Sequence, residues 1–283
     1  MNDIQQWVLA APDQHQRLFR QAAHCLLLAI AQRASVLPEM VMKGGVLLAI
    51  RYHTGRMTRD VDFSTRALYR DFAPKQADFI VQLDRALGSA AAALPYELQL
   101  RVQSCQVQPR ADGQFQTLKI KIGYAAAGNA RALDRLNKGQ SPQILSLDYS
   151  FNEEIHDIER IGDESLQVEA YGEFTLIAEK LRAYLQQEER DRERGRDLYD
   201  LWWVLKERRF TEMERKRLLA IIRSKAASRG ISVEQGSLAR PALIERAERS
   251  FDALRLQVDV LPEFAAVFAV VGGFWDALPW GDG

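Results

Sequence analysis

Between Glu39 and Phe63 the chain passes through a strand, a glycine pair, a short apolar helix and a second strand, and this order constrains its fold more than any other feature. Residues 39–43 (EMVMK) read as the first strand and Gly44-Gly45 as the turn. Residues 46–53 follow as the helix, and residues 58–63 as the returning strand after Gly55. Apolar alternation predicts three more strands at 97–107, 115–124 and 143–150. The middle one puts Leu118, Ile120 and Ile122 on one face, with Lys119 and Lys121 on the other. Helices are expected at 14–33 and 74–94, and residues 128–141 read as a polar, glycine-containing loop. After Gly172 the character changes, and 173–188, 195–209, 211–228, 241–254 and 262–272 all read as helices. The expectation is an α+β chain with an α/β domain over 1–170 and a helical domain over 171–283.

Composition narrows the functional classes. The 283 residues carry 38 Lys and Arg against 38 Asp and Glu, and 47% are hydrophobic, which excludes disorder over most of the chain and a surface basic all round. Two cysteines, Cys25 and Cys105, make no disulfide framework, and the four histidines fall in no zinc-binding spacing. The first residues show no export signal, and the longest apolar stretch, Phe264 to Trp275, is too short to span a bilayer. A cytoplasmic protein without a membrane partner is expected. The aromatic residues of that stretch read as core or as a dimer contact.

Asp60 and Asp62 stand two apart on the returning strand, so both carboxylates project from one face, as oxygen ligands of a divalent cation must. Taken alone, such a pair is more often two solvated carboxylates at a strand end. Its context adds Lys43 and the Gly44-Gly45 turn, where backbone N–H groups at a helix start can approach phosphate closely. Asp148 lies on the 143–150 strand, on the opposite side from Leu145 and Leu147. If that strand neighbours Asp60, three acids surround the metals, and one could accept a proton from an attacking hydroxyl. Thr58 is two before Asp60 and is expected on the same face. Its hydroxyl either bonds locally or offers a place where phosphorylation would put negative charge beside the metal.

Lys43-Gly44-Gly45, Arg56-x-Thr58-x-Asp60-Val61-Asp62-Phe63, Ala178-Glu179-Lys180-Leu181-x-Ala183 and Arg196-Asp197-Leu198-Tyr199-Asp200-Leu201 occur in this order. Together they resemble the signatures of the AbiEii/AbiGii toxin nucleotidyltransferases. The resemblance runs from about Met40 to Leu205. It implies a nucleotidyltransferase fold of the DNA polymerase β type, with a mixed sheet carrying the acids followed by a helical domain. It implies Mg²⁺ held by Asp60 and Asp62, with Asp148 as third acid, Lys180 on the nucleotide phosphates, and Asp200 as the second essential helical residue. The sequence departs from the family in Gly-Gly-Val, where Gly-Gly-Thr is frequent, which removes a hydroxyl that could touch phosphate.

Independently of the family, Asp197 and Asp200 share a helix face, as do Arg196 and Asp200. Arg196 and Asp197 either bind the nucleotide or serve as structural partners. From Lys206 to Arg229, nine basic residues face three acids, and Arg208, Arg209, Arg215, Lys216 and Arg223 are the candidates for an RNA backbone. A second basic segment holds Lys119, Lys121, Arg131, Arg135 and Lys138. The resemblance and the basic segments together imply a Mg²⁺-dependent toxin that moves an NMP from an NTP to a tRNA 3′ end. A toxin–antitoxin or phage-defence operon would supply a cognate antitoxin. Nucleotidylation of a protein hydroxyl and a non-catalytic regulatory module are the rival readings.

Overall fold

Asn2 starts the first helix, α1 (Asp3–Leu9), by accepting the Gln5 backbone N–H at 2.9 Å, and Asp13 caps α2 (Gln14–Gln32) through Gln16 N at 2.8 Å. The computed structural model describes residues 2–33, 38–110 and 113–281. Strand β1 (Val41–Lys43) runs directly into α3 (Gly44–Arg51), so the glycine pair is the first turn of that helix rather than a separate turn. Then come β2 (Asp60–Ser64), a short α4 (Tyr69–Phe72), α5 (Gln76–Ala93), β3 (Leu98–Gln108) and β4 (Thr117–Ala126).

Residues 128–141 correct the sequence expectation, because an eight-residue helix, α6 (Ala130–Asn137), stands there with Asn129 capping Ala132 N. Strand β5 (Ile144–Ser150) follows, and then a hairpin the sequence reading did not place, β6 (Ile158–Asp163) and β7 (Leu166–Tyr171). The remaining helices are α7 (Glu173–Leu185), α8 (Gly195–Leu205), α9 (Glu212–Ala227), α10 (Pro241–Phe251) and α11 (Phe264–Asp276).

The seven strands form one mixed sheet in the order β3-β4-β5-β2-β1-β7-β6. The β2–β5 and β1–β7 pairs are parallel, whereas β1–β2, β3–β4 and β4–β5 are antiparallel. Alternation sorts the side chains: Val61, Phe63, Leu118, Ile120, Ile122, Leu145 and Leu147 are all buried, and the polar residues between them take the other face. At one end of this core Tyr149 packs on Phe151 with ring centroids 4.5 Å apart, Phe72 meets both rings, and Phe79 stacks on Tyr149.

Contacts divide the chain into two units, Met1–His53 with Thr58–Ala170, and Thr54–Met57 with Tyr171–Gly283. In the second unit α7 is buried almost throughout, Lys180 and Arg182 included. The loop before α8 is fixed by Gln187, whose amide accepts Arg194 N at 2.9 Å and donates to Leu243 O at 3.2 Å. Among the C-terminal aromatics Trp275 is core, with its indole N–H donating to Gln235 O at 2.6 Å. No helix among the described residues is long and apolar enough to cross a membrane.

Candidate active site

The sheet registers the acids. Asp62 and Asp148 are directly opposed across the parallel β2–β5 pair, and Asp60 is opposed to Ser146 one step along the same face. Lys43 pairs with Asp62 on the other side of β2, and Lys119 pairs with Asp148 across β4–β5. One row therefore reads Lys43, Asp62, Asp148, Lys119 over four adjacent strands. Neighbouring strands lie about 4.8 Å apart, so two carboxylates facing each other repel unless a positive charge joins them. Lys119 Nζ lies 2.7 Å from Asp148 Oδ2, and Lys43 Nζ is 3.6 Å from Glu153 Oε1.

Gly44 closes this face. Its φ of +78° is in the left-handed region, and a Cβ built there would stand 2.0 Å from Asp62 Oδ2. Only glycine lets the start of α3 come this near the Asp62 carboxylate. Lys43, as helix N-cap, makes no side-chain capping bond, and the first N–H groups of α3 have no partner within the helix.

The donor set suits a hard cation in chemistry and in face, since every candidate is a carboxylate oxygen. As they stand, no three His, Cys, Asp or Glu side chains among the described residues converge into a metal-holding group. Asp60, Asp62 and Asp148 thus share a face without closing on a point, and Lys119 holds one Asp148 oxygen. Thr58 corrects the expectation that it lies on the strand. It precedes β2, which begins at Asp60, and its hydroxyl donates to Asp60 O at 3.4 Å.

The second unit carries a buried charge cluster. Lys180 Nζ lies 2.7 Å from Asp200 Oδ2 and 2.9 Å from Asp197 Oδ1. Arg56 grips Asp200 in a bidentate pair, Nε to Oδ1 at 2.9 Å and Nη2 to Oδ2 at 3.0 Å. Arg194 adds a contact to Asp197 Oδ2 at 3.3 Å. Burial opposes the charged forms, but the opposite charges outweigh it: Asp197 and Asp200 are held below the usual carboxylate range and Lys180 above the usual lysine value.

Arg196 shares a helix face with Asp200 by its i,i+4 spacing but is not the arginine that pairs with it. Arg196 is exposed and joins none of these pairs, because Arg56, held in the same unit by Met57 N donating to Gln257 O, takes that place. Arg56 was visible in the motif Arg56-x-Thr58-x-Asp60, but nothing in the sequence tied it to Asp200.

The basic segment is spread rather than aligned. Arg208 is bound by Glu173 at 3.1 Å and Glu214 at 2.7 Å, and Lys216 by Glu212 at 3.1 Å. Arg215 and Arg223 donate to the carbonyls of Ala277 and Trp280, and Lys225 is buried against Glu179. Arg209 is exposed.

Two solved structures share this arrangement of elements. JHP933 of Helicobacter pylori matches with a TM-score of 0.57 at 16% identity, over 95% of this chain and 93% of that chain. MenT4, a nucleotidyltransferase toxin of Mycobacterium tuberculosis H37Rv, matches with a TM-score of 0.56 at 17% identity, over 99% of this chain and 88% of its own. At such identities the likeness speaks for the fold, a mixed-sheet nucleotidyltransferase fold. No curated protein matches the sequence. The profile of the AbiEii toxin nucleotidyl transferases of type IV toxin–antitoxin systems matches residues 26–270, most of the length, and the chain belongs to that family of nucleotidyltransferase toxins.

Proposed function

We propose that this toxin transfers an NMP from an NTP to the 3′-terminal hydroxyl of an RNA, a tRNA, with Mg²⁺ as cofactor. The acceptor oxygen bonds to the α-phosphorus, the bond from that phosphorus to the β-phosphate oxygen breaks, and pyrophosphate leaves with the electron pair. The hydroxyl proton passes to a carboxylate, a role assigned to Asp148. Asp60 and Asp62, joined by Asp148, would hold Mg²⁺, which supplies charge neutralisation at the reacting phosphates.

The start of α3, with Lys43, Gly44 and Gly45, offers backbone N–H groups to the triphosphate. Thr58 lies beside that face, and its local hydrogen bond argues for a positioning rather than a regulatory part. Lys180 spends two of its three donors on Asp197 and Asp200, and the third is assigned to phosphate. Asp197 and Asp200 keep its ammonium charged and aimed. Arg196, exposed one residue before Asp197, is a further candidate for phosphate. Arg209, exposed, is the better candidate for an RNA backbone, and Lys216 would have to leave Glu212 to join it. Arg208, Arg215 and Arg223 already serve α9 and the C-terminal segment.

One observation carries the reading: Asp60, Asp62 and Asp148 occupy one sheet face, with two like charges directly opposed. A cognate antitoxin would neutralise the activity in the cytoplasm, within a toxin–antitoxin or phage-defence operon. The test is incubation with Mg²⁺, total RNA and each α-labelled NTP in turn, beside an Asp60→Ala variant. Label in a tRNA-sized band, lost in the variant, is the expected result. Label in a protein band would move the acceptor to a protein hydroxyl, and no label from any NTP would reject the reaction.

A further inference from the structure

Beside Asp60, on the side of β2 away from Gly44, a cavity of about 300 Å³ opens among Gln16, Arg59, Asp60, Tyr124, Gln143 and Ser146. A wider groove of about 650 Å³ continues from it, sharing His15, Tyr124, Pro142 and Gln143, and runs out past Asn129, Arg131 and Arg135. Each volume is within the range of small-ligand sites, roughly 300–1,000 Å³.

Gln16 gives the inner cavity its chemistry. It is only 5% exposed, and its backbone N–H serves the helix cap. Its side-chain amide makes no hydrogen bond among the described residues and is not a buried orphan, so its polar atoms are open to the cavity. An amide that offers both a donor and an acceptor to such a cleft complements the edge of a nucleobase. Arg59, Arg131 and Arg135 are exposed and enter no ion pair among the described residues. Arg59 lines the inner cavity with Asp60, and Arg131 and Arg135 line the outer groove, a placement that suits successive phosphates of a backbone.

The two sides of the acid pair differ. Gly44 and the helix start, on the β1 side, suit the triphosphate, whereas the cavity is on the β5 and β4 side. We propose that this groove is the acceptor subsite: Gln16 reads the base of the 3′-terminal nucleotide, and Arg59, Arg131 and Arg135 hold the phosphates that precede it. Asp60 then sits between the donor and the terminal hydroxyl. This assignment rests on the nucleotidyl-transfer reading for its orientation, but the binding it predicts does not require turnover.

The test uses the full chain with Mg²⁺ and no NTP. A 5′-fluorescein single-stranded RNA of ten nucleotides, made with each of the four bases at its 3′ end, is titrated by anisotropy. The wild type is expected to bind with a preference among the terminal bases. Gln16→Met, which keeps the length of the side chain and removes its hydrogen-bonding atoms, should weaken binding about tenfold and flatten that preference. A double variant, Arg131→Gln with Arg135→Gln, changes only exposed side chains. It should reduce the slope of log affinity against log salt by about 1.4, at about 0.7 per phosphate contact. NTP affinity, measured separately, should stay with the wild type in both. Binding unchanged in both variants, or no RNA binding by the wild type, would overturn the assignment. So would loss of NTP affinity instead of RNA affinity in Gln16→Met, because the cavity would then hold the donor's base. RNA binding that follows these expectations without any label transfer would keep the groove and reject the reaction.

Discussion

At Gly44 a single hydrogen separates a working turn from a blocked one. A methyl group there would overlap Asp62 Oδ2 and would sit on a backbone with φ of +78°. Gly44→Ala is expected to cost about 1–2 kcal/mol in stability and to displace Asp62, lowering transfer at least 100-fold. Gly55→Ala, whose added Cβ meets nothing within 4 Å, is the matched control, and denaturant melts beside the labelling assay check both.

Lys180 is the other decisive residue. Lys180→Met would take the shared ammonium from two buried carboxylates, leaving Asp200 to Arg56 and Asp197 to Arg194, a loss of up to roughly 3–5 kcal/mol for a broken buried pair. Because Asp197 and Asp200 have folded pKa values below their ordinary 3.8, the stability they contribute is complete above that value and is lost as pH falls through the depressed ones. Lys180, raised above 10.5, contributes fully below that pH, and its share is lost only as pH climbs past it. The contribution of this cluster, read as the wild-type denaturant midpoint minus that of Lys180→Met, should therefore be flat between these limits and shrink outside them. Lys180→Met should already be low at neutral pH and should fall less steeply on acidification, since protonating an aspartate that has lost its ammonium partner costs less.

Among the elements, the paired strands decide what Asp148 can do. The Lys119–Asp148 pair joins side chains 44% and 21% exposed, so its contribution to stability is small, about 0–1 kcal/mol. Its chemical effect is larger, because Lys119 occupies an oxygen that a cation would use. Lys119→Met should leave the denaturation midpoint nearly unchanged and lower the Mg²⁺ concentration that half-saturates transfer. A raised Mg²⁺ requirement would instead mean that Lys119 assists the site.

The same strands show what the sequence could reveal. In β4 and β5 strict alternation exposes both the buried face and the acid face, and Asp60 and Asp62 follow from the same period. Helix α6 was hidden because only Leu136 of its eight residues is buried, so its pattern is that of a polar loop. In the β6–β7 hairpin only Ile161 of β6 is buried, so its alternation does not stand out. The Arg56–Asp200 pair spans 144 residues of sequence, and no local spacing chooses Arg56 over the nearby Arg196. Gln16 passed as an ordinary helix residue, since only the cavity reveals that its amide is unpaired.

For the whole molecule, 38 positive residues balance 38 negative ones, so no overall field draws it to nucleic acid and any RNA affinity must be local. Toxicity should then depend on chemistry at the acid face and not on sequestering RNA by bulk charge. Asp60 separates the two cleanly. It is exposed at the first position of β2, where removing a side chain changes stability by about 0.5 kcal/mol or less. An Asp60→Ala chain should accumulate in cells to the wild-type level and melt at the same denaturant concentration, yet allow normal growth where the wild type arrests it. RNA binding in the groove should persist in that variant, or strengthen slightly as one negative charge leaves the path. Growth arrest by Asp60→Ala equal to that of the wild type would show that the toxin acts by binding, and the acid face would then be a structural feature of the sheet.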